Sequence, residues 1–453
     1  MTTHWTAEQV LALAPDAGSA KRAQALATAS KWPTLGKCDR ATWGECQGSG
    51  KKPYRTLIDL SEPAFRCSCP SRKFPCKHAL GLLLLLAEGE TFLEKEIPAW
   101  GADWIEKRSQ KQTIEHPSKE KKVDEAAQEK RLQKRVEKVE AGLAELEQWM
   151  QDIIRQGLVS VSEKPYSFWD SMAARMIDAQ APGLASRVRR LGNICYSGEG
   201  WPSRLLQALG DLNLLVQGYK RLEQLPPETK AEVLKQVGFP QKKEDLINRS
   251  RQSDPLITRV EDTWLVLGKI VTEEDSLKTQ RVWLRGVKSA QSALILSFAH
   301  GKRQPLDTSL MSGTSLDASL VFYPGAGQAG KGHRAIVATR TEAAAFEKDK
   351  MDWQSVGAKT IEAAMNSYAT ALSQNPWLSQ FLLVLDNILF RYDADAWYVQ
   401  DTEEKLLPLA SHFAQGWELL AMSGGKPLSL AAEWNGRYLL PLSVWSDRSF
   451  VVM

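Results

Sequence analysis

The spacing of hydrophobic and polar positions changes along the chain, and the changes divide it into parts of different structure. Apolar residues recur at helical spacing near the N-terminus and again between residues 143 and 250. After residue 255 they form short or alternating runs that are typical of strands. We therefore predict an α+β protein with four parts, which are an N-terminal region at 1–105, a charged helical linker at 106–142, a helical bundle at 143–250 and a mixed, strand-rich α/β domain at 255–453.

The N-terminal region contains the pattern of two strands followed by a helix. Tyr54–Leu60 alternates between apolar and polar residues, and Ala64–Cys67 predicts a returning strand after a turn at 61–63. His78–Glu88 is apolar on nearly every side, which predicts a buried helix. Residues 36–50 are rich in turn formers, so we expect a loop there. The predicted ββα unit has its core at 50–90, with helices on either side.

The last region is predicted to consist of strands interrupted by two helices, at Ala358–Leu372 and Trp417–Met422. Asn435-Gly436 is the dipeptide favoured in two-residue hairpin turns. A glycine-rich stretch at 325–332 predicts a hairpin connection. The candidate strands are Trp264–Ile270, Arg281–Leu284, Ser292–Phe298, Ala318–Tyr323, Arg334–Ala338, Phe381–Leu389, Ala396–Val399, Pro427–Trp434 and Arg437–Trp445.

The composition indicates the cellular compartment of the protein and argues against some classes of protein. The net charge of +4 over 453 residues gives no global attraction to nucleic acid or to membranes. The longest apolar run, Ala79–Ala87, is far shorter than the roughly 20 residues of a membrane helix, and the first residues do not have the pattern of a signal peptide. Six cysteines, three of them within ten residues, indicate metal binding in a reducing cytoplasm.

Those three cysteines and a histidine form the strongest candidate site. Cys67, Cys69, Cys76 and His78 follow the pattern C-x-C, six residues, C-x-H. Zinc prefers four thiolate or imidazole ligands in a tetrahedron, and four protein ligands leave no position for water. The alternative is three buried cysteines beside an unrelated histidine, but the intervening residues are polar, basic and rich in proline, which suits a core poorly. We predict one structural Zn²⁺ at these four residues.

The pattern resembles the SWIM zinc finger, whose ligands are spaced C-x-C, a variable spacer, then C-x-H. All four ligand positions match, and the predicted hairpin and helix fit the ββα arrangement of that family. Trp43–Gly50, Ala173–Leu184 and Glu433–Gly436 also look like segments of bacterial, full-length SWIM-containing proteins. The resemblance implies a module that binds DNA or protein. It also implies an association with MoxR-type AAA ATPases.

The local charge around the finger favours nucleic acid over a protein partner. Between Gly50 and His78 there are seven basic and two acidic residues, and a three-thiolate zinc site subtracts only about one charge. Such clusters contact phosphates. The predicted contact face is Lys51, Lys52, Arg72, Lys73 and Lys77. The alternatives are that these residues offset the thiolates, or that the protein is an interaction scaffold using its helical and C-terminal regions.

The motifs that would indicate an enzyme are incomplete or lack the second motif that should accompany them. Gly48–Lys52 lacks the first glycine and the final Ser or Thr of a phosphate-binding loop. Met311–Asp317 resembles the opening motif of anhydro-muramic acid kinases, but without a second phosphate loop it is better interpreted as a turn before a strand. No nucleophile elbow accompanies His300, His333 or His412, and Cys38, Cys46 and Cys195 are interpreted as packing residues. We therefore expect neither catalysis nor a small-molecule substrate.

Overall fold

The computed structural model confirms an α+β architecture with a finger, a helical bundle and a strand-rich C-terminal region. The turn predicted at 61–63 lies outside the described residues. The structure describes residues 6–11, 13–48, 52–60, 64–71, 73–113, 125–274, 277–300, 306–325, 331–340, 344–345, 357–446 and 450–453.

The N-terminal region is a five-stranded sheet with helices packed on it. The strands lie in the order β4-β3-β2-β1-β5, and β1 and β5 are parallel whereas the other neighbours are antiparallel. The predicted ββα unit is observed as β3, β4 and α3. The helices are α1 (Ala7–Leu11), α2 (Ala17–Gln24), α3 (Lys77–Ala87) and α4 (Ala99–Thr113), and the strands are β1 (Thr34–Lys37), β2 (Ala41–Cys46), β3 (Tyr54–Asp59), β4 (Ala64–Cys67) and β5 (Leu93–Glu94).

The loop expected over residues 36–50 is wrong for most of that segment, which forms the end of β1 and all of β2. Two of its glycines, Gly36 and Gly44, lie in strands and are covered by tryptophans. A Cβ at Gly36 would lie 2.5 Å from the Trp43 ring, and one at Gly44 would lie 2.8 Å from the Trp32 ring. Glycine in a strand permits this close approach, so these residues indicate packing here.

Helix α3 is the centre of the N-terminal core, as its composition predicts. Its buried leucines are at most 1% exposed, and they pack against α1, α2 and the sheet. Met311, far along the chain, is buried in the same cluster and links the module to the C-terminal region. The fully buried leucines are Leu80, Leu82, Leu83, Leu84 and Leu85.

The middle region is a helical bundle that begins earlier than predicted. The boundary predicted between residues 142 and 143 falls inside α5, where Val139 is fully buried and Arg135 donates hydrogen bonds to two bundle carbonyls. The charged residues of 125–138 therefore form the first turns of a bundle helix. The helices are α5 (Glu125–Gln156), α6 (Leu158–Val161), α7 (Tyr166–Asp178), α8 (Pro182–Ile194), α9 (Trp201–Lys220), α10 (Pro227–Val237) and α11 (Lys243–Arg251).

The next five long strands close into a barrel. Strand β6 bends at a bulge beside Gly268 and pairs with β9 through its first half and with β7 through its second. The circuit β6-β7-β8-β10-β9 is closed by a parallel pair, β8 with β10, in a five-stranded Greek-key arrangement like that of OB-folds. The strands are β6 (Arg259–Glu274), β7 (Leu277–Gly286), β8 (Ser292–His300), β9 (Thr314–Pro324) and β10 (Lys331–Arg340), and β11 (Ala344–Ala345) extends β9.

The final part is a second six-stranded sheet, antiparallel throughout, in the order β14-β13-β12-β15-β16-β17. Helices α12 and α13 cover one of its faces. The Asn-Gly hairpin is present, but its loop has four residues because the side chain of Asn435 accepts hydrogen bonds from the backbone of Arg437 and Tyr438. The elements are α12 (Ile361–Gln374), β12 (Phe381–Asp393), β13 (Ala396–Gln400), β14 (Leu406–Pro408), α13 (Gly416–Ser423), β15 (Leu428–Trp434), β16 (Leu439–Trp445) and β17 (Phe450–Val452).

The barrel packs against the free face of this sheet. Trp283 of the barrel is fully buried there, and its indole Nε1 donates to Glu433 at 2.7 Å. Arg281 donates two further hydrogen bonds to the same carboxylate, both at 3.0 Å. The region predicted as one domain therefore contains two sheets joined by an apolar interface. Among the described residues, no helix is long and apolar enough to cross a membrane.

Candidate metal centre

The four predicted ligands are held by a strand end and a helix start. Cys67 is the last residue of β4, and Cys69 follows two residues later. The chain returns through a loop so that Cys76 is the N-cap of α3 and His78 is the second residue of that helix. Because the sheet and the buried α3 fix both ends of the loop, the two ligand pairs face each other.

The geometry suits a tetrahedral metal ion. The ligand atoms of Cys67, Cys69, Cys76 and His78 all lie within 4.8 Å of one another. Cys67 Sγ and His78 Nδ1 are 3.8 Å apart. Metal–sulfur bonds of about 2.3 Å and metal–nitrogen bonds of about 2.0 Å at tetrahedral angles require separations of roughly 3.6 Å. The three sulfurs and one nitrogen therefore fit a single ion with small adjustments.

The electrostatics of the four groups show how strongly they interact. Hydrogen bonds with Cys67 and Cys76 lower the pKa of the Cys69 thiol, whereas contacts with Cys67 and Cys69 raise that of Cys76, which is also buried. Burial lowers the pKa of His78, but its contacts with Cys67 and Cys69 outweigh this and raise it to about 9. Thiolates this close repel one another, and a divalent cation is the partner that removes the repulsion.

Groups around the ligands hold them in place. The hydroxyl of Thr56 lies 3.3 Å from Cys67 Sγ, since the two residues pair across β3 and β4. The ring of Tyr54 packs against His78 with 4.8 Å between ring centroids. Backbone N–H groups of Ser71 and Ala79 hydrogen-bond to Cys69 and Cys76. Sequence reasoning missed Thr56 and Tyr54, although strand register opposite Cys67 would have indicated Thr56.

The predicted basic face is only partly brought together. Lys52 and Lys77 are both exposed; Lys77 directly precedes His78 in the chain, and Lys52 lies two residues before Tyr54, whose ring packs against His78. Lys73 is exposed but forms an ion pair of 2.6 Å with Asp16, the N-cap of α2. Lys51 and Arg72 lie outside the described residues.

The remaining cysteines pack in cores, as predicted. Cys46 and Cys195 are buried in the N-terminal and bundle cores, and Cys38 packs against a small apolar cluster near α4. The cluster of the four ligands does not include Cys46, although burial and the nearby Cys67 raise the pKa of its thiol.

A buried ion pair fastens α4 to the finger sheet. Asp59, at the end of β3, is fully buried and accepts hydrogen bonds from Arg108 of α4 at 3.0 Å and Arg40 at 3.5 Å. Neither arginine is fully exposed, so the carboxylate neutralises two cations close to the core. The sequence pattern gave no signal for this triad, because its members are up to 68 residues apart.

Comparison with known protein families identifies two segments of the chain. Residues 54–87 match the SWIM zinc finger, and residues 134–237 match the SWIM-associated four-helix bundle domain. The first match covers β3, β4, α3 and all four ligands, and the second ends at the last residue of α10. No curated protein and no solved structure matches the chain. The chain is thus a SWIM-containing protein, in which a SWIM zinc finger with a Cys/His metal site precedes a SWIM-associated four-helix bundle.

Proposed function

We propose that this protein acts by recognition, with one structural Zn²⁺ shaping the finger and a basic surface beside it binding nucleic acid. The observation that carries the proposal is the closed four-ligand cluster together with the exposed Lys77, which directly precedes the ligand His78, and the exposed Lys52, which precedes strand β3 of the finger. A catalytic zinc keeps one coordination position for water or substrate. Three cysteines and a histidine fill all four, which supports a structural role and no reaction at the metal.

Zinc is the proposed metal because of the donor set. Three thiolates with one imidazole in a tetrahedron are typical of structural zinc sites. Thiolate ligands also require a reducing environment, so we place the protein in the cytoplasm. Metal analysis of the purified protein should give one zinc per chain. Cobalt substitution should produce the absorption of a tetrahedral thiolate site, and Cys76→Ser should abolish it.

The nucleic-acid surface that we propose is centred on Lys52 and Lys77. Phe74 is 43% exposed, and its ring packs edge-on against Phe65, which supports it as a platform on which a base can stack. Lys73 lies next to Phe74, but its pairing with Asp16 makes it a weaker phosphate contact than predicted. The combination of exposed lysines and an exposed aromatic ring favours single-stranded or locally opened nucleic acid.

The test measures the salt dependence of binding with a charge-matched control. Labelled single-stranded and duplex DNA of about 20 nucleotides or base pairs would be titrated by fluorescence anisotropy. Lys52→Glu with Lys77→Glu should weaken binding and lower the salt slope by about one unit per lysine. Lys134→Glu with Lys138→Glu, at exposed positions of α5, changes the net charge equally and should leave binding unchanged. Equal loss in both double variants, or no loss in either, would contradict a specific face.

A role as a protein-interaction adaptor is the second candidate. Its support is the large part of the chain that lies outside the finger, together with an exposed aromatic surface on the C-terminal sheet. Affinity purification from native cells, with and without nuclease, separates the candidates. A partner that persists after nuclease treatment, such as a MoxR-type AAA ATPase, would favour the adaptor, whereas nuclease-sensitive recovery would favour nucleic acid.

A further inference from the structure

Three aromatic rings at the edge of the C-terminal domain form an exposed cluster. Tyr392, Trp397 and Trp417 have ring centroids 4.9–5.0 Å apart in all three pairs. Trp417 is 60% exposed and is the only tryptophan among the strongly exposed large apolar side chains of the described residues. Tryptophan normally buries well, and exposed tryptophans held in fixed positions are typical of binding hot spots. We call these three residues the aromatic triad.

The triad is rigidly supported. Tyr392 and Trp397 face each other across β12 and β13, in register with the buried pair Phe390 and Val399 two positions earlier. Their rings therefore lie on the same face of the sheet as the core, where that face reaches the solvent. Trp417 lies in the first turn of α13. A Cβ at the preceding Gly416 would overlap the Trp397 ring, so glycine is needed for the contact between helix and sheet. Little conformational entropy remains to be lost on binding.

The charges beside the triad are negative. Asp395 accepts a hydrogen bond of 3.1 Å from the Tyr392 hydroxyl, and Glu418 follows Trp417 directly. Both carboxylates lie at exposed positions. The one basic residue of β12, β13 and α13 is Arg391, whose side chain alternates to the other face of the sheet and bonds to Gln400 at 2.6 Å. Electron-rich ring faces beside carboxylates attract cations and repel phosphates.

We propose that the aromatic triad is a docking site for a basic peptide segment of a partner protein. An arginine or lysine side chain would stack on the exposed ring of Trp417, and Asp395 and Glu418 would pair with its charge or with a neighbouring one. This surface selects the opposite charge from the basic face of the finger, so the two sites do not compete for one ligand. The proposal does not depend on nucleic-acid binding by the finger.

The probe is a fluorescein-labelled peptide of alternating arginine and glycine, titrated with the full-length protein by anisotropy. A matched peptide with glutamate in place of arginine and a single-stranded oligonucleotide serve as counter-probes. We expect the arginine peptide to bind with an affinity that falls as salt rises. Trp417→Ala should weaken it by about tenfold or more, as expected for the loss of a hot-spot contact. Tyr196→Ala removes an aromatic ring that is 68% exposed on the bundle, and it should have no effect.

A second variant keeps the test valid if Trp417→Ala disturbs the fold. Asp395→Asn with Glu418→Gln removes both charges without removing packing atoms, and asparagine tolerates the left-handed backbone of Asp395, whose φ is 59°. Thermal unfolding should be unchanged, while peptide binding weakens and loses most of its salt dependence. The proposal is overturned if the arginine peptide does not bind or binds both variants as well as the wild type. It is also overturned if a counter-probe binds in a Trp417-dependent way.

Discussion

Removing the metal should disorder the finger loop while the other domains stay folded. Among the described residues of 67–78, Cys67 and Cys69 are only half-buried and Phe74 is exposed, and the buried side chains are those of Pro75, Cys76 and His78 at the start of α3. Ordering the backbone of the twelve residues 67–78 costs about 1–2 kcal/mol per residue, or roughly 12–24 kcal/mol. Structural zinc supplies about 10–16 kcal/mol in finger peptides, which is of the same size. Without the ion, we expect the remaining described contacts of the loop, such as the exposed Lys73–Asp16 ion pair and the edge contact of Phe74 with Phe65, to be too weak to hold it.

Helix α3 should respond differently from the loop that precedes it. Its five fully buried leucines each contribute roughly 1.5–3 kcal/mol through contacts that do not involve the metal. We therefore expect loss of the metal to release 67–76 and the first turn of α3. The leucine-rich part of the helix should loosen less.

Hydrogen exchange measured by mass spectrometry tests this expectation. Peptides covering 64–78 should exchange faster after chelation and in Cys76→Ser, whereas peptides within 139–237 should be unaffected. Cys195→Ser is the matched control, because this buried cysteine belongs to the bundle. Unchanged protection of 64–78 in metal-free protein would refute the reasoning. Uniform loss of protection across the whole chain would refute the division into loop and core.

Three further predictions concern packing and charge. Asp59→Ala should destabilise the N-terminal module by about 3–5 kcal/mol, because it leaves two arginines beside the core without their carboxylate; urea unfolding of the variant measures this. Gly268→Ala should cost about 1–3 kcal/mol, because its Cβ would lie 2.5 Å from the Cβ of Leu442, and Leu442→Gly, which removes that atom, should recover part of the loss in a double-variant cycle. Burial lowers the pKa of His333 from 6.5 to about 4. Between pH 6.5 and pH 4, His333 is protonated in the unfolded chain but not in the folded protein. The free energy of unfolding should therefore be highest above about pH 6.5 and should fall by about 3 kcal/mol toward pH 4. His333→Leu should lack that part of the pH dependence in urea titrations, and an identical profile in both proteins would contradict it.

Local patterns predicted the clustering of the four candidate ligands well because these residues are close in the chain. Four ligands within twelve residues, followed by the apolar α3, indicate both the cluster and the helix that supports it. The strand predicted at Ser292–Phe298 likewise lies within β8. Thr56 and Tyr54 escaped notice because their places beside the ligands depend on strand register and packing, which residue type alone does not reveal.

Long-range pairing explains most of what could not be predicted. The barrel closes through β8 and β10, whose paired residues Ala335 and Ile295 are 40 positions apart, and no composition signal specifies that contact. The charged stretch before residue 143 has the composition of a solvated linker, yet Val139 and Arg135 show that it packs on the bundle. The glycines of β1 and β2 were misleading because glycine serves close packing as well as turns.

In the function proposed above, the metal and the basic face contribute to recognition in different ways, so they can be separated experimentally. In that function the ion would order the loop that carries Phe74 and leads into Lys77 but would touch no nucleic acid itself, because three cysteines and a histidine would fill its four coordination positions. Cys76→Ser should therefore abolish nucleic-acid binding while leaving every basic side chain in the sequence. Lys52→Glu with Lys77→Glu should weaken binding and lower its salt slope while retaining one zinc per chain. If the lysine variant lost its zinc, or if the cysteine variant still bound with an unchanged salt slope, the ion and the surface would not have these separate roles.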